Sequence, residues 1–329
     1  MEFRPFTLRL LQPIVTARAR LEERQGFEVR LRDGALVGCG EATILPELGT
    51  ETRDECEAAL RSGQVEGTPA ARHAVEEAQL DLEAQRRGVP LCRLLEPQAP
   101  LEVPVSALLG ALGAAELARE ARAMVQAGFG TVKLKVGHGP IEEDFARACV
   151  VRDAVGPRVL LRLDANGAWE PPAALAALHR LAPLGIEFCE QPVAPGRLAE
   201  LRGSPVPIAA DESMATEPEL ALHCADIIVL KPMLLGGLNV ALRWAVRARE
   251  LGRRVVVTTS LDGPIARAGA AHLAAAILAH GPQPAAGLAT GRFFAGHDPL
   301  APIGGRVILR DEPGLALRRA GDESLAFCE

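Results

Sequence analysis

Short apolar segments recur along the chain from about residue 101 onward, and an Ala-rich segment with helical periodicity follows most of them. Their continuous apolar character is typical of strands that are buried on both faces. A spacing of roughly 20–30 residues between them fits a (β/α)8 barrel. The eight segments are Val103–Leu108, Thr131–Val136, Val159–Asp164, Ile186–Glu190, Ile208–Asp211, Ile227–Lys231, Val255–Thr259 and Gly287–Thr290.

A doubly wound parallel sheet is the alternative α/β architecture for such a pattern. Against it, no predicted strand is followed by the G-x-G-x-x-G loop of dinucleotide-binding folds. Polar residues also stand at the ends of many consecutive strands, as expected where all strand ends surround one barrel mouth. We therefore predict a TIM barrel over residues 101–304.

The first hundred residues have a different pattern. Alternating apolar and polar positions predict strands at Phe3–Leu11, Phe27–Leu31 and Leu36–Ala42, and a polar loop at Pro13–Gln25. Helical patterns follow over 51–95, with Thr68-Pro69 as an N-terminal signal for the helix that continues through Ala71–Arg87. We expect an α+β domain over 1–100, joined by 305–329, in which 306–317 forms strands that rejoin the N-terminal sheet.

Composition excludes several classes of protein. The 329 residues carry a net charge of −6 with no long basic run, so we expect no nucleic-acid partner. The seven cysteines are odd in number and form no C-x-x-C, which disfavours a disulfide framework or a zinc knot. No signal-peptide pattern or 18-residue apolar span occurs, so we expect a cytoplasmic protein without a membrane segment.

Three carboxylates stand at the ends of successive predicted strands: Asp164, Glu190 and Asp211. In a barrel these side chains would meet at the C-terminal mouth. Three carboxylates suit a hard cation with oxygen ligands, Mg²⁺ or, as a second choice, Mn²⁺. Acidic residues at strand ends also serve as helix N-caps, but three in succession favour a metal site.

Three lysines accompany the carboxylates. Lys133 and Lys135 lie two apart on one strand, so their side chains point the same way, and Lys231 ends a strand on the other side of the circle. The structural alternatives are an exposed edge strand for the first two and a rim salt bridge for the third. Taken with the metal, the opposed ammonium groups predict removal of a proton α to a carboxylate, with an enediolate stabilised by the cation.

These residues resemble the enolase superfamily in its muconate-lactonising branch. The resemblance implies a barrel with an α+β capping domain, Mg²⁺ bound by the three carboxylates, and Lys135 as base with Lys133 beside it and Lys231 opposite. It also implies that Asn166, Glu212 and Arg162 support the metal ligands. The matching motifs are Lys133-Leu134-Lys135, Asp164-Ala165-Asn166, Glu190-Gln191-Pro192, Asp211-Glu212-Ser213 and Lys231-Pro232.

Within that branch the chain is most similar to the o-succinylbenzoate synthases, through residues 229–237 and 258–276 and through Arg162. This implies a hydro-lyase that dehydrates 2-succinyl-6-hydroxy-2,4-cyclohexadiene-1-carboxylate in menaquinone biosynthesis. Ser260, Thr259 and Gly263 would hold the succinyl carboxylate of this small-molecule substrate, although strand-end capping explains the two hydroxyls equally well.

Other functions stay open. N-acylamino acid racemases share the catalytic residues. Dipeptide epimerases are disfavoured because 287–298 holds no Asp-x-Asp. A non-catalytic barrel that binds a dicarboxylate is the third possibility, and the sequence leaves the oligomeric state open.

Overall fold

The structure of the protein is a computed structural model that describes residues 1–15, 20–110 and 113–317. The strands of this part of the chain are β1 (Glu2–Val15), β2 (Arg20–Asp33), β3 (Leu36–Thr43), β4 (Glu102–Pro104), β5 (Ala107–Leu109), β6 (Thr131–Lys135), β7 (Leu160–Asp164), β8 (Ile186–Glu190), β9 (Ile208–Ala210), β10 (Ile227–Leu230), β11 (Arg254–Val257) and β12 (Arg306–Ile308). Its α-helices are α1 (Arg53–Ser62), α2 (Pro69–Arg87), α3 (Leu91–Leu95), α4 (Ala114–Gln126), α5 (Ile141–Val155), α6 (Pro171–Leu181), α7 (Glu212–Thr216), α8 (Pro218–Cys224), α9 (Pro232–Leu235), α10 (Leu238–Glu250) and α11 (Pro264–Leu278).

The larger part of the chain forms a curled parallel sheet of seven strands in the order β11-β10-β9-β8-β7-β6-β5. Isolated bridges from Gly287 to Thr258 and from Ala286 to Val105 connect its two ends. The expected (β/α)8-type barrel is therefore confirmed. Two of its strands differ from the prediction: 286–287 joins the barrel only through these bridges, and the predicted first strand is divided into β4 and β5.

Burial of most residues of the barrel strands explains why apolar runs predict the barrel. Leu134, Leu161 and Leu163 are wholly buried on their strands. The Ala-rich helix α11 is buried along most of its length because it packs against β11 on one side and against β3 and α2 on the other. This helix is therefore the main structural link between the barrel and the N-terminal part.

The N-terminal cap is an antiparallel sheet in the order β1-β2-β3, with α2 packed against β3. Gly38 and Gly40 make this close packing possible, since a Cβ at Gly40 would lie 1.9 Å from the carbonyl oxygen of Ala74. The helix α2 starts at Pro69 as expected, but its cap is the Glu51 carboxylate, which accepts hydrogen bonds from the first free N–H groups at 2.7 and 3.0 Å.

The prediction of a polar loop at Pro13–Gln25 is largely wrong. β1 extends to Val15 and β2 begins at Arg20, so most of this segment is a two-stranded arm. Polarity was misleading here because a narrow ribbon leaves most of its side chains exposed whichever conformation it takes. Arg18, one of the three arginines in the predicted loop, lies outside the described residues.

The C-terminal segment does not rejoin the N-terminal sheet as predicted. β12 pairs instead with β4, beside the barrel. Contact with the cap is made further on, where the Gly314 N–H donates to the Val89 carbonyl at 3.0 Å and the Leu315 N–H donates to Asp81 at 2.7 Å. The division at residues 100 and 304 stays a prediction, and 318–329 lie outside the described residues.

Within the described ranges, no helix combines the length and the apolar character needed to cross a membrane.

Candidate active site

The register of the barrel brings the charged strand ends together. Lys135 pairs with Asp164 between β6 and β7, and Asp164 pairs with Glu190 between β7 and β8. Asp211 follows β9 directly and Lys231 follows β10. Together with Lys133, all six side chains line one cavity of about 150 Å³ at the C-terminal mouth of the barrel.

Within this cavity the lysines and carboxylates are paired directly. Lys133 Nζ lies 2.9 Å from an Asp164 oxygen and 3.1 Å from a Glu190 oxygen, so it bridges these two carboxylates. Lys135 Nζ lies 2.7 Å from the same Asp164 oxygen. Across the mouth, Lys231 Nζ lies 2.6 Å from Asp211. The predicted opposition of two lysines to one is therefore present in the geometry.

Burial and mutual charge determine the electrostatics of the mouth. Burial alone would lower the pKa of Lys133, but Asp164 and Glu190 raise that pKa above its usual range. Burial raises the pKa of Asp164, yet Lys133 and Lys135 hold that pKa well below its usual value. Burial and the charge of Asp164 together raise the pKa of Glu190 to about 7. The Glu190 carboxylate therefore lacks sufficient positive charge from the lysines alone.

The donor chemistry of the mouth fits a hard divalent cation. Three carboxylates on successive strands are the ligand type that Mg²⁺ prefers, and added positive charge would relieve the repulsion between Glu190 and Asp164. The described residues contain no group of three His, Cys, Asp or Glu side chains already arranged around a common point. The Lys133 ammonium lies between two of the carboxylates, and Lys231 holds the third.

Asn166 and Glu212 lie where the sequence predicts supporting residues. Asn166 has a left-handed backbone with φ +46°, a conformation that asparagine tolerates better than most residues. Its side-chain oxygen accepts a hydrogen bond from Lys135 Nζ at 2.6 Å, and its amide nitrogen donates to Glu212 at 3.0 Å. Asn166 thus orients Lys135 and connects it to the carboxylate that follows Asp211.

Gln191 is a site residue that the sequence analysis noted only as part of a motif. It is wholly buried, with φ +39°. Its side-chain oxygen accepts hydrogen bonds from the N–H groups of Asp211 and Ser213 at 3.1 and 3.2 Å, and its nitrogen donates to the Ser213 hydroxyl at 2.9 Å. Gln191 therefore fixes the start of the Asp211 loop. Its place between Glu190 and Pro192 was the only signal in the sequence.

Within the part of the chain that the structure describes, Arg162 forms no hydrogen bond with the three carboxylates. Its guanidinium donates to Glu187 and to the Ala285 carbonyl, each at 2.6 Å, and stacks over the Phe188 ring at 4.7 Å. Two residues along a strand correspond to about 6.6 Å, so Arg162 lies one layer below Asp164. The expectation that it supports the ligands directly is therefore corrected: it packs inside the barrel.

Two of the three predicted substrate-binding residues line the cavity and the third does not. Thr259 and Ser260 line the cavity, and the buried Ser260 hydroxyl has no hydrogen-bond partner within the described protein. Gly263 does not line the cavity, because its N–H donates to Glu41 at 2.6 Å and to Thr43 at 3.3 Å. The expectation that the Gly263 N–H binds substrate is therefore wrong.

Apolar side chains of the cap line the cavity together with the charged residues of the barrel. Ile14 and Leu21 come from the arm, and Leu45 and Leu48 from the segment after β3. Arg20 is exposed and pairs with Glu22. The Arg24 guanidinium is buried and donates to the Leu261 carbonyl at 3.2 Å, so it acts on a loop of the mouth.

Comparison with known proteins gives a consistent family. Residues 116–322 match the family described as "Enolase C-terminal domain-like". The chain is 40% identical over 219 residues to o-succinylbenzoate synthase of Thermobifida fusca, covering 63% of this chain and 67% of that one. It is 31% identical over 300 residues to L-Ala-D/L-Glu epimerase of Bacillus subtilis, covering 81% of each.

A solved structure extends the similarity to three dimensions. Dipeptide epimerase of Enterococcus faecalis, complexed with Mg and the dipeptide L-Leu-L-Tyr, superposes with a TM-score of 0.85 at 28% identity. The match covers 95% of this chain and 97% of that one.

Proposed function

The chain belongs to the enolase superfamily, with relatives that fit its muconate-lactonising branch, and from this membership we propose that it is an o-succinylbenzoate synthase dependent on Mg²⁺. The reaction is the loss of water from 2-succinyl-6-hydroxy-2,4-cyclohexadiene-1-carboxylate. The coarser statement, an enzyme of the enolase superfamily, holds whichever member of the branch it is. Relatives with epimerase activity occur at similar identity, so the proposal depends on the residues of the mouth.

The observation that carries the proposal is the opposition of lysines across three carboxylates in one cavity. When bound by Asp164, Glu190 and Asp211, Mg²⁺ would stabilise the negative charge that develops on the substrate carboxylate. Mn²⁺ has the same ligand preference. Proton transfer is carried out by side chains of the protein.

Lys135 is assigned as the base that removes the α proton. Its side chain is 33% exposed to the cavity, whereas that of Lys133 is 16% exposed and bridges two carboxylates. Breaking the Cα–H bond leaves an enediolate. The proton then passes from Lys135 to the hydroxyl group as the C–O bond breaks, so the products are o-succinylbenzoate and one water. Lys231 faces the ring from the other side and stabilises its developing charge through a cation–π contact.

The charges around the cavity favour a dicarboxylate over a dipeptide. A dipeptide substrate carries an ammonium group that needs a carboxylate outside the metal site. Among the described lining residues the acidic side chains are the three carboxylates of the metal site and Glu212, and Glu212 accepts a hydrogen bond from the Asn166 amide at 3.0 Å. Asp298, the remaining acid of the 287–298 segment, accepts hydrogen bonds from Arg267 at 3.0 Å and from the Leu300 N–H at 2.9 Å. It is therefore already satisfied away from the cavity.

Racemisation of N-acylamino acids is the second candidate function. It is favoured by Lys135 and Lys231, which lie on opposite sides of the carboxylates as transfer of a proton between two faces of one carbon requires. Neither residue distinguishes this reaction from dehydration, because both reactions begin by removing the same α proton.

The test is incubation of the purified protein with Mg²⁺ and the cyclohexadiene substrate. We expect the cyclohexadiene absorbance to disappear and o-succinylbenzoate to form in equal amount. No dehydration, together with exchange of the α proton of N-succinylamino acids in ²H₂O, would replace the proposal with the racemase. Inactivity in both assays would refute both candidate functions and leave a dipeptide epimerase or a barrel that only binds its ligand.

A further inference from the structure

The loop after β11 is held from outside the barrel by the cap. Glu41 on β3 accepts hydrogen bonds from the N–H groups of Gly263 at 2.6 Å and Ile265 at 3.0 Å. Thr43 donates to Glu41 at 2.5 Å and accepts from the Gly263 N–H at 3.3 Å. Arg24 on β2 donates to the Leu261 carbonyl at 3.2 Å. Residues from two cap strands thus hold the 261–265 backbone.

The Glu41 contact is specific in charge and shape. Both of its oxygens face the first free N–H groups of α11, a position where a helix favours negative charge. The side chain is 2% exposed, and a Cβ at Gly263 would lie 2.5 Å from it. A glycine is therefore needed for this close approach. The sequence signals, Glu41 within 38–49 and Gly263 within 258–276, are far apart in the chain.

The held loop is also a wall of the active-site cavity. Leu261 has a left-handed backbone with φ +60°, which a branched side chain adopts only when its surroundings enforce it. Leu261 and Ser260 both line the cavity. The Ser260 N–H donates to Asp262 at 3.2 Å, and its buried hydroxyl has no partner within the described protein. The direction of that hydroxyl therefore depends on a backbone that the cap holds in place.

We infer that Glu41, with Thr43 and Arg24, is a positioning residue for substrate binding. By fixing Leu261 and Gly263 it turns the Ser260 hydroxyl toward the carboxylate of the substrate that lies farthest from Lys135. The identity of that carboxylate group depends on the proposed function, whereas the cap's control of the loop does not. Glu41 is not among the described residues that line the cavity, so it acts on binding through Ser260.

The variant Glu41→Gln tests this directly. The amide keeps the shape of the side chain but presents an NH₂ group to one of the two backbone N–H donors, which loses its acceptor. Asp81→Asn is the matched control: Asp81 is also buried and accepts hydrogen bonds from the N–H groups of Cys39 at 2.8 Å and Leu315 at 2.7 Å, outside the cavity.

Two measurements apply to both variants. The first is amide hydrogen exchange over 258–266. The second is KM and kcat in whichever reaction the wild type catalyses, dehydration or α-proton exchange. For Glu41→Gln we expect faster exchange of this segment and a KM raised roughly tenfold, with kcat within about threefold, because a misdirected hydroxyl removes one hydrogen bond to a charged group. Asp81→Asn should leave both measurements at the wild-type values.

Thr43 supplies a second pair of variants. Thr43→Ser keeps the hydroxyl and should retain the wild-type KM, whereas Thr43→Val should raise KM in the same direction as Glu41→Gln. Adding Ser260→Ala to Glu41→Gln should cause little further rise in KM, because both changes act on one contact.

Unchanged exchange of 258–266 in Glu41→Gln, or an equal rise in KM in Asp81→Asn, would overturn the inference. A wild type inactive in both reactions would refute the proposed function alone, and amide exchange would then decide whether Glu41 holds the loop.

Discussion

Two clusters of buried carboxylates in this protein are satisfied by different kinds of partner. The mouth cluster comprises Asp164, Glu190 and Asp211, and its partners are lysine side chains at 2.6–3.1 Å. The cap cluster comprises Glu41, Glu77 and Asp81, and its members accept hydrogen bonds from backbone N–H groups at 2.6–3.0 Å.

The difference teaches how a buried acid can be assigned a role. A backbone N–H cannot move away or change its charge, so a carboxylate that it holds becomes part of the framework. A lysine can rotate, exchange its partner and transfer a proton, so a carboxylate paired with lysines can also accept a metal and a substrate. By this criterion the mouth cluster takes part in the reaction, whereas the cap cluster holds the backbone in place.

Removal of the metal should separate the two clusters most strongly. Because a bound cation contributes several kcal/mol to stabilising developing charge, dialysis against a chelator should lower kcat/KM by roughly 10³-fold or more. The melting temperature should fall only slightly, since the lysines still contact all three mouth carboxylates, although they leave Glu190 short of positive charge. Added Mg²⁺ should restore the rate. Full activity in the chelated protein would show that the mouth works without a cation.

Asn166→Ala should produce the next largest effect. The change removes the hydrogen bonds that connect Lys135 to Glu212. Loss of such a supporting contact typically costs 10–100-fold in metal affinity or activity, and we expect a loss on the order of that range in kcat/KM at fixed Mg²⁺. Asn239→Ala, a change on α10, is the control that should retain the wild-type rate. Equal rates in the two variants would contradict the role given to Asn166.

Asp81→Ala should lower the stability of the protein and leave its catalytic activity unchanged. The N–H groups of Cys39 and Leu315 would lose their acceptor inside the protein. Two unpaired buried donors should lower the free energy of unfolding by about 2–5 kcal/mol, measured by denaturant titration. Activity per folded molecule should equal that of the wild type. A fall in kcat/KM without a change in stability would remove the distinction between the clusters.

A smaller effect is expected from protonation of His272, a residue of α11 that contacts Cys92 on α3. Its Nδ1 accepts a hydrogen bond from the Cys92 N–H at 3.0 Å, so the folded protein needs the neutral ring, and burial lowers its pKa to about 4. The unfolded chain binds the proton near pH 6.5, so the stabilisation is complete above that pH and is lost as the pH falls toward 4. The loss should reach about 3 kcal/mol.

His272→Gln, which keeps an acceptor for Cys92, is the matching variant. Its stability should fall less between pH 6.5 and 4 than that of the wild type. An identical pH dependence in both proteins would show that His272 does not contribute.

The sequence predicted the barrel well because β6 to β10 are short apolar runs that end at, or are followed by, a charged residue. Ile186–Glu190 matches its strand to the residue, and Asp164, Glu190, Lys133 and Lys135 end in the cavity as expected.

The errors share a different cause. Gly263 and Arg162 were assigned through the family resemblance, but their partners in the structure, Glu41 and Ala285, are more than a hundred residues away in the sequence. The arm was missed because exposed strands carry no apolar alternation. Positive φ at Gln191 and Leu261 follows from tertiary contacts that no local pattern encodes.

The most direct test of the account compares binding and turnover in Lys135→Ala. Affinity for o-succinylbenzoate in the presence of Mg²⁺ and the rate of dehydration would be measured on the same preparations of variant and wild type. If Lys135 is the base in a metal-dependent mouth, affinity should stay within about threefold while the rate falls by roughly 10³-fold or more. A variant that dehydrates the substrate at the wild-type rate would contradict the account.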